Sequence, residues 1–310
     1  MEESQMKELT REEILLCLDE RGLGPKATAL LEVCDFRYLP IAGARLDALK
    51  NQIRDKIAKD NQRIASPGRA EAWEEGWQAQ LEEARTRGFT DDSLVPKFIH
   101  HGQAMRICGE YAETLNPRFE ADWVRFLRCW FLEKYFGGCE AIWEFGCGTG
   151  HNLVAAAEMH PEAKLAGFDF ARSAVHLVRQ MADARSLPIE AMQFDMLNPN
   201  PSLGVPPNTG VFTFGSMEQL GGQVGQMIDW LVQARPKVVV HIEPSEDLYG
   251  LSDFDQLAYR FQTKRGYTAT LIAFLRRIAE TSEIELLKVQ RTGVGSLYLE
   301  GYNVIIWRPL

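Results

Sequence analysis

The chain has no excess of positive charge. Lysine and arginine number 34 against 43 acidic residues in 310, a formal net charge of −9. A protein that follows a phosphate backbone needs a basic face, so nucleic acid is not expected as a partner. Long apolar runs are missing as well. No stretch of eighteen consecutive apolar residues occurs, the length a bilayer core demands, and no membrane partner is expected. The opening stretch, MEESQMKELTREE, is polar and acidic. It lacks the basic end and apolar middle of a secretory signal, so a cytoplasmic location is expected. Cysteine is sparse and irregular. The six cysteines, at 17, 34, 108, 129, 139 and 147, form no CxxC pair and no close set with histidine. They read as free thiols in a reducing compartment, and no metal is expected. Internal repeats and low-complexity tracts are absent too. What remains is a chain that is 45% hydrophobic, enough for a sizeable core.

Two patterns divide the chain. From residue 10 to about 135 the apolar spacing is helical. TREEILLCLDERG opens with Thr10, places Glu13 three residues later and closes at Gly22, a capping box and a glycine stop. ARLDALKNQIRDKIAKDNQRI and EAWEEGWQAQLEEARTRG continue at three and four spacing, broken between them at Pro67 and Gly68. ADWVRFLRCWFLEKYFGG is strongly apolar and suits either the core or a homodimer face. From about residue 139, short apolar runs alternate with helical stretches. AIWEFG, KLAGFDF, IEAMQFDM, GVFTFGS and PKVVVHIEP read as strands with helices between them. That alternation predicts a doubly wound α/β, Rossmann-like sheet, mostly parallel. IELLKVQRT and YNVIIWRP follow with no helix between them, so they pair as a hairpin and add an antiparallel strand at the end. The expected division is a helical N-terminal region over 1–138 and a ligand-binding domain over 139–310.

The first strand of that domain runs into EFGCGTG, with Gly146, Gly148 and Gly150 at alternate positions behind Glu144. Glycine lets the backbone turn sharply and approach a ligand closely, and the end of the first strand is where such sheets bind ligands. A dinucleotide site asks for GxGxxG. Here the third glycine comes one residue early and position 151 is histidine, which counts against an NAD-dependent oxidoreductase.

This stretch resembles the first motif of class I S-adenosylmethionine-dependent methyltransferases, an acid, one residue, then GxGxG. The likeness extends over residues 139–310: Asp169 ends the second strand, Asp195 the third, FTFGSMEQLGG the fourth and HIEPSED the fifth. It implies a seven-stranded sheet with an antiparallel last strand and S-adenosylmethionine as cofactor. It further implies that Gly146, Cys147, Gly148 and Gly150 pass under the cofactor, with Glu144 near the ammonium of its amino-acid tail. Asp169 would accept both ribose hydroxyls, Phe170 would stack on the adenine, Asp195 would accept its exocyclic amine, and the Met196 backbone would lie near the ring nitrogens.

Methyl transfer is an in-line displacement, and a hydroxyl acceptor must also lose a proton. Candidates for that step are Glu218 first, after the fourth strand, then His241 and Glu243 of the fifth, His241 falling inside the strand where it can also face the core. His151 could cap a helix or touch the cofactor tail. PKFIHHGQAMRICGEYAE, with His100, His101, Arg106 and Tyr111, is either a lid over the cofactor or an ordinary surface segment. The [DNS]PP[FYW] signature of nucleic-acid amine methylation does not follow the fourth strand, where FGSM stands, and no Pro-Cys nucleophile pair occurs. The acceptor is expected to be a small molecule or a sugar or glycan, methylated on oxygen. WEEGW and LVPKFIHHG resemble stretches of sugar methyltransferases. A protein, peptide or nitrogen acceptor is the alternative.

Overall fold

A computed structural model describes residues 5–64 and 68–310. Pro67, half of the expected break in the helical pattern, lies outside the described residues, as do the first four of the polar start. The strands, in chain order, are β1 (Lys7–Glu8), β2 (Arg37–Pro40), β3 (Met105–Ile107), β4 (Glu110–Thr114), β5 (Ala141–Phe145), β6 (Lys164–Asp169), β7 (Ile189–Gln193), β8 (Thr209–Phe214), β9 (Val238–Glu243), β10 (Ile284–Gln290), β11 (Val294–Gly295) and β12 (Asn303–Pro309).

Seven of these form the central sheet, in the order β10-β12-β9-β8-β5-β6-β7. The pairs among β5 to β9 are parallel, while β12 runs antiparallel between β9 and β10. This is the doubly wound sheet with a closing hairpin that the sequence pattern predicts. β5, β8 and β9 are buried along their whole length, which is why they read as continuous apolar runs: helices cover both faces of a parallel sheet. One apolar core lies between this sheet and helices Val224–Ala234 and Leu271–Glu280. The other lies between the opposite face and the N-terminal region.

The N-terminal region is mostly helical, as expected. Its first helix, Arg11–Leu18, carries the capping box: the Glu13 amide donates to the Thr10 hydroxyl and the Thr10 amide to the Glu13 carboxylate. That helix ends before Gly22, with Asp19 in the left-handed conformation that glycine usually takes. Helix Phe119–Tyr135 resolves the alternative the sequence left open. Trp123, Phe126 and Phe131 have no exposed surface, and Phe131 packs 5.3 Å from Phe212 of the central sheet. Its aromatic side is core.

The region also holds strands that the helical pattern did not show. Together they make a second sheet, β1-β2-β4-β3-β11, antiparallel throughout. Strands of two to five residues are too short to display an alternation. The last strand of this sheet, β11, comes from the loop between β10 and β12 at the far end of the chain.

Candidate functional site

The turn after β5 is built for close approach. Gly146, Gly148 and Gly150 have φ of +73°, +49° and +74°, the region where only glycine is unstrained. A side chain would also collide. A Cβ at Gly146 would lie 2.3 Å from the Ser216 Cβ, and one at Gly148 would lie 2.7 Å from the Trp77 ring. Asp169, the last residue of β6, holds the loop in place. Its carboxylate accepts the Gly148 amide at 3.0 Å and the Ala171 amide at 3.0 Å. Burial pushes it up to about 6, against the pull of these amides. Cys147 points the other way, its Sγ packed over Gly167, where an added Cβ would meet it at 2.8 Å.

Behind the loop lies a polar group of four residues, Glu144, Arg128, His151 and Asn152, the first two buried. Glu144 on β5 accepts from the Asn152 amide at 2.7 Å through one oxygen, while its other oxygen is buried with no partner. Burial raises it to about 8, although Asn152 and the nearby Arg128 charge both oppose the rise. Arg128, from helix Phe119–Tyr135, donates to the Asn152 carbonyl at 3.2 Å and sits 2.5 Å from His151 Nε2. Burial brings Arg128 down to about 10. A guanidinium can only donate, so His151 Nε2 accepts and its proton sits on Nδ1. Burial, then the Arg128 charge, holds His151 well below the ordinary histidine range, as a neutral ring. Sequence reading found Glu144 and His151 but not Arg128, which lies in an apolar helical run with nothing to mark which turn faces the strand ends.

These groups open on a cavity of about 710 Å³, inside the range of about 300–1,000 Å³ typical of small-molecule sites. Of the residues the sequence singled out for the cofactor, Glu144, Gly146, Cys147, Gly148, Asp169, Phe170, Asp195 and Met196 line it, whereas Gly150 does not and packs against Val178 and Met181. Phe170 is 40% exposed, a free ring face at the cavity edge. Asp195 stands two residues past the end of β7 and shapes the turn there, accepting from the Leu197 amide and the Asn198 side chain. A roof comes from the N-terminal region. Helix Arg69–Arg87 lies over the start of helix Arg172–Arg185, where Glu74 accepts the Ser173 amide at 2.9 Å. Its Trp73 and Trp77 stack at 5.7 Å, and both line the cavity. The only sequence signal for this roof was a tryptophan pair four residues apart, which places both rings on one helix face.

The expected lid segment contributes in part. Pro96, Phe98 and Ile99 line the cavity, and Thr149 of the glycine loop donates to the Leu94 carbonyl nearby at 2.7 Å. His100 and His101 are exposed and do not line it. Arg106 is buried elsewhere, donating to the Tyr111 hydroxyl at 3.0 Å and lying 3.5 Å from Glu300.

The three residues picked for proton transfer are not on the cavity wall. After β8, Phe214, Ser216, Gln219 and Leu220 line it and Glu218 does not. Glu243 is buried and fully engaged, accepting from the Thr213 hydroxyl at 2.8 Å and from the amides of Ser216, Met217 and Glu218 at 3.1, 3.1 and 3.4 Å. It anchors the turn after β8. His241 is sealed inside the sheet. Trp307 donates to its Nε2 at 3.0 Å, so its Nδ1 carries the proton and donates to the Thr213 hydroxyl at 2.9 Å. Burial pushes it down to about 3.

Residues 142–213, from β5 to β8, match the family described as "Methyltransferase domain". No curated protein matches the sequence. Several solved structures are similar in fold. The PH0226 protein from Pyrococcus horikoshii OT3 is 11% identical with a TM-score of 0.46, over 62% of this chain and 92% of that one. PigF, solved with SAH, is 14% identical with a TM-score of 0.46, over 86% and 69%. The O-methyltransferase NcsB1 of neocarzinostatin biosynthesis was solved with S-adenosylmethionine and 2-hydroxy-5-methyl naphthoic acid. It is 14% identical with a TM-score of 0.42, over 62% of this chain and 58% of that one.

Proposed function

We propose that the chain, whose residues 142–213 match a methyltransferase domain, is a class I S-adenosylmethionine-dependent methyltransferase and that it methylates a small molecule enclosed between the glycine loop and the N-terminal region. One observation carries the cofactor's placement: a buried carboxylate oxygen of Glu144 with no partner, directly behind the glycine loop. An unpaired buried acceptor is costly, and the ammonium of the cofactor tail satisfies it. Arg128 does not reach the cavity wall and acts behind it, holding Asn152 and His151 in place. Asp169 keeps free lone pairs beside the two amides it already holds, enough for a ribose diol. Phe170 offers a ring face to the adenine, and Asp195 with the Met196 backbone reads its edge. Gly146, Cys147 and Gly148 supply the backbone of the floor, and Gly150 turns the chain into the following helix.

Bound there, S-adenosylmethionine supplies an electrophilic methyl on a sulfonium. The chain's part is alignment in a closed space. Residues 139–310 hold the cofactor, and residues 1–138 serve as the cap. The roof of Trp73 and Trp77 favours an acceptor small enough to be enclosed over a protein or peptide. We place the enzyme in the cytoplasm. Calorimetry with S-adenosylmethionine, S-adenosylhomocysteine and NAD side by side tests the reading. The first two are expected to bind and NAD is not; binding of NAD alone would overturn it.

A further inference from the structure

The two ends of the cavity differ in chemistry. The cofactor end carries the charges. The wall beyond it is mostly apolar, made by Ile64, Phe98, Ile99 and Val124 from the N-terminal region and by Phe214 and Leu220 beside β8, with Ser216 and Gln219 its uncharged polar members there. Among the described residues no lysine or arginine lines the cavity, and its acids, Glu144, Asp169 and Asp195, stand at the cofactor end. A hydroxyl-dense sugar would leave many polar groups facing hydrocarbon, each costing about 1–3 kcal/mol unless paired. A phosphorylated or nucleotide-linked acceptor would find no cation.

The same wall holds no group free to take a proton. Glu218 is off the wall. Glu243 is held by four donors in the turn after β8, and His241 is enclosed between Trp307 and Thr213. His151 does line the cavity, but its Nε2 faces the Arg128 guanidinium at 2.5 Å. The Ser216 hydroxyl donates to the Phe145 carbonyl and is no base.

We infer that the acceptor is an apolar ring compound that arrives with its attacking atom already ionised, a phenolate or an arenethiolate, and that the enzyme removes no proton. This rests on the methyltransferase reading above and names its substrate class. The step balances without a base. The acceptor loses its proton to water before it binds. Its lone pair forms the new bond to the methyl carbon, the carbon–sulfonium bond breaks, and that electron pair stays on sulfur. Anion and sulfonium cancel, leaving a neutral methyl ether or thioether and the neutral thioether of S-adenosylhomocysteine. An apolar wall favours such a step, because attraction between the two charges is strongest where water is excluded.

The test uses the full chain and a series of ring-substituted phenols and thiophenols of graded acidity, with methyl glycosides and a nucleoside diphosphate sugar beside them. Calorimetry with S-adenosylhomocysteine comes first: a chain that fails to bind it fails the methyltransferase reading, whatever the acceptor. With cofactor binding in hand, methyl transfer from labelled S-adenosylmethionine is followed against pH for each acceptor. The midpoint of kcat/KM is expected to move with the acceptor's own pKa across the series. A midpoint that stays fixed whatever the acceptor reveals an enzyme base and overturns the inference. So does transfer to the glycosides or the sugar nucleotide in preference to the aryl compounds, and so does cofactor binding with no transfer to any aryl probe. Phe98, 45% exposed, offers a check on the wall. Phe98→Ala is expected to raise KM for the aryl acceptors about tenfold and leave S-adenosylhomocysteine affinity unchanged. Equal loss for glycosides and aryl compounds would count against an apolar acceptor.

Discussion

The floor of the cavity and its far wall follow opposite rules. On the floor every polar group is aimed: Asp169 at two amides, Glu144 at Asn152 and at an open space, Arg128 at His151 and Asn152. On the wall the side chains are mostly hydrocarbon, Ser216 and Gln219 apart, and the acids nearest to it serve the scaffold. On the proposed function, recognition of the cofactor is electrostatic and geometric, while recognition of the acceptor rests on shape and exclusion of water. Such a site fixes the donor tightly and leaves the acceptor to be chosen by fit, where each methylene changes affinity only modestly.

Changes to the floor should therefore cost most. Gly148→Ala puts a methyl 2.7 Å from the Trp77 ring at a φ of +49°. Overpacking and left-handed strain together amount to roughly 2–5 kcal/mol, so S-adenosylhomocysteine affinity should fall by about a hundredfold or more in calorimetry. Adding Trp77→Ala removes the collision and should recover part of that loss. No recovery would mean that the glycine is needed for the ligand alone and that the roof does not press on the floor.

Next comes Asp169→Ala, which removes the acceptor for the Gly148 and Ala171 amides and for the ribose. A loss of about 1.5–3 kcal/mol, roughly tenfold to a hundredfold in cofactor affinity, is expected, with the circular dichroism spectrum unchanged. Normal binding by a folded Asp169→Ala protein would place the ribose elsewhere.

A smaller, pH-dependent effect belongs to Glu144. With a pKa raised to about 8, it is mostly protonated at neutral pH in the free protein. Pairing with an ammonium favours the ionised form, so cofactor binding should release a proton, seen as a dependence of the binding heat on buffer. Affinity should rise with pH, by up to tenfold per unit, until about pH 8. Glu144→Gln should abolish both the proton release and the slope. The free protein should show the opposite trend in stability. Glu144, Asp169 and Glu243 are all raised above the ordinary carboxylate range, to about 8, 6 and 7. The folded state then binds more protons than the unfolded one, and melting temperature should fall as pH rises from about 4.5 to 8. A melting temperature that rises over that window would show that these groups are ionised in the folded chain.

The least effect is expected on the wall side. Glu218→Gln should change turnover by less than about threefold, against the ~10²–10⁴ a positioned base is worth. A loss of the larger size would put a proton-transfer group back at the acceptor end.

Much of the floor was legible in the sequence because it is local. GxGxG and the acid before it fall within seven residues, and Asp169 ends the next strand. The wall and roof were not, because they depend on contacts between distant segments. Residues 69–87 reveal a helix, but not that its tryptophans reach Gly148 some seventy positions on. His241 lies in a six-residue run buried on both faces, where alternation carries no information about which side faces the ligand. Its partner Trp307 is 66 residues away. Glu218 and Gln219 share a short turn whose path bends at Gly221, φ +56°, so which of the two meets the cavity is set by backbone geometry. The arginine behind the floor was hidden for a related reason: Arg128 sits among aromatic residues, and only its partners Asn152 and His151 distinguish it from an ordinary surface cation.

The β3–β11 pairing bears on how the chain is made. The sheet that steadies the N-terminal region takes its edge strand from Val294–Gly295, paired with Ile107 and Arg106. On the ribosome, residues 105–114 emerge long before their partner exists, so that edge must wait, exposed, for nearly two hundred further residues to be translated. The floor can form as soon as its strands emerge; the second sheet is completed only after β10 has been made. A nascent chain stalled before β11 would expose an unpaired strand edge at β3, the kind of surface through which incomplete chains associate.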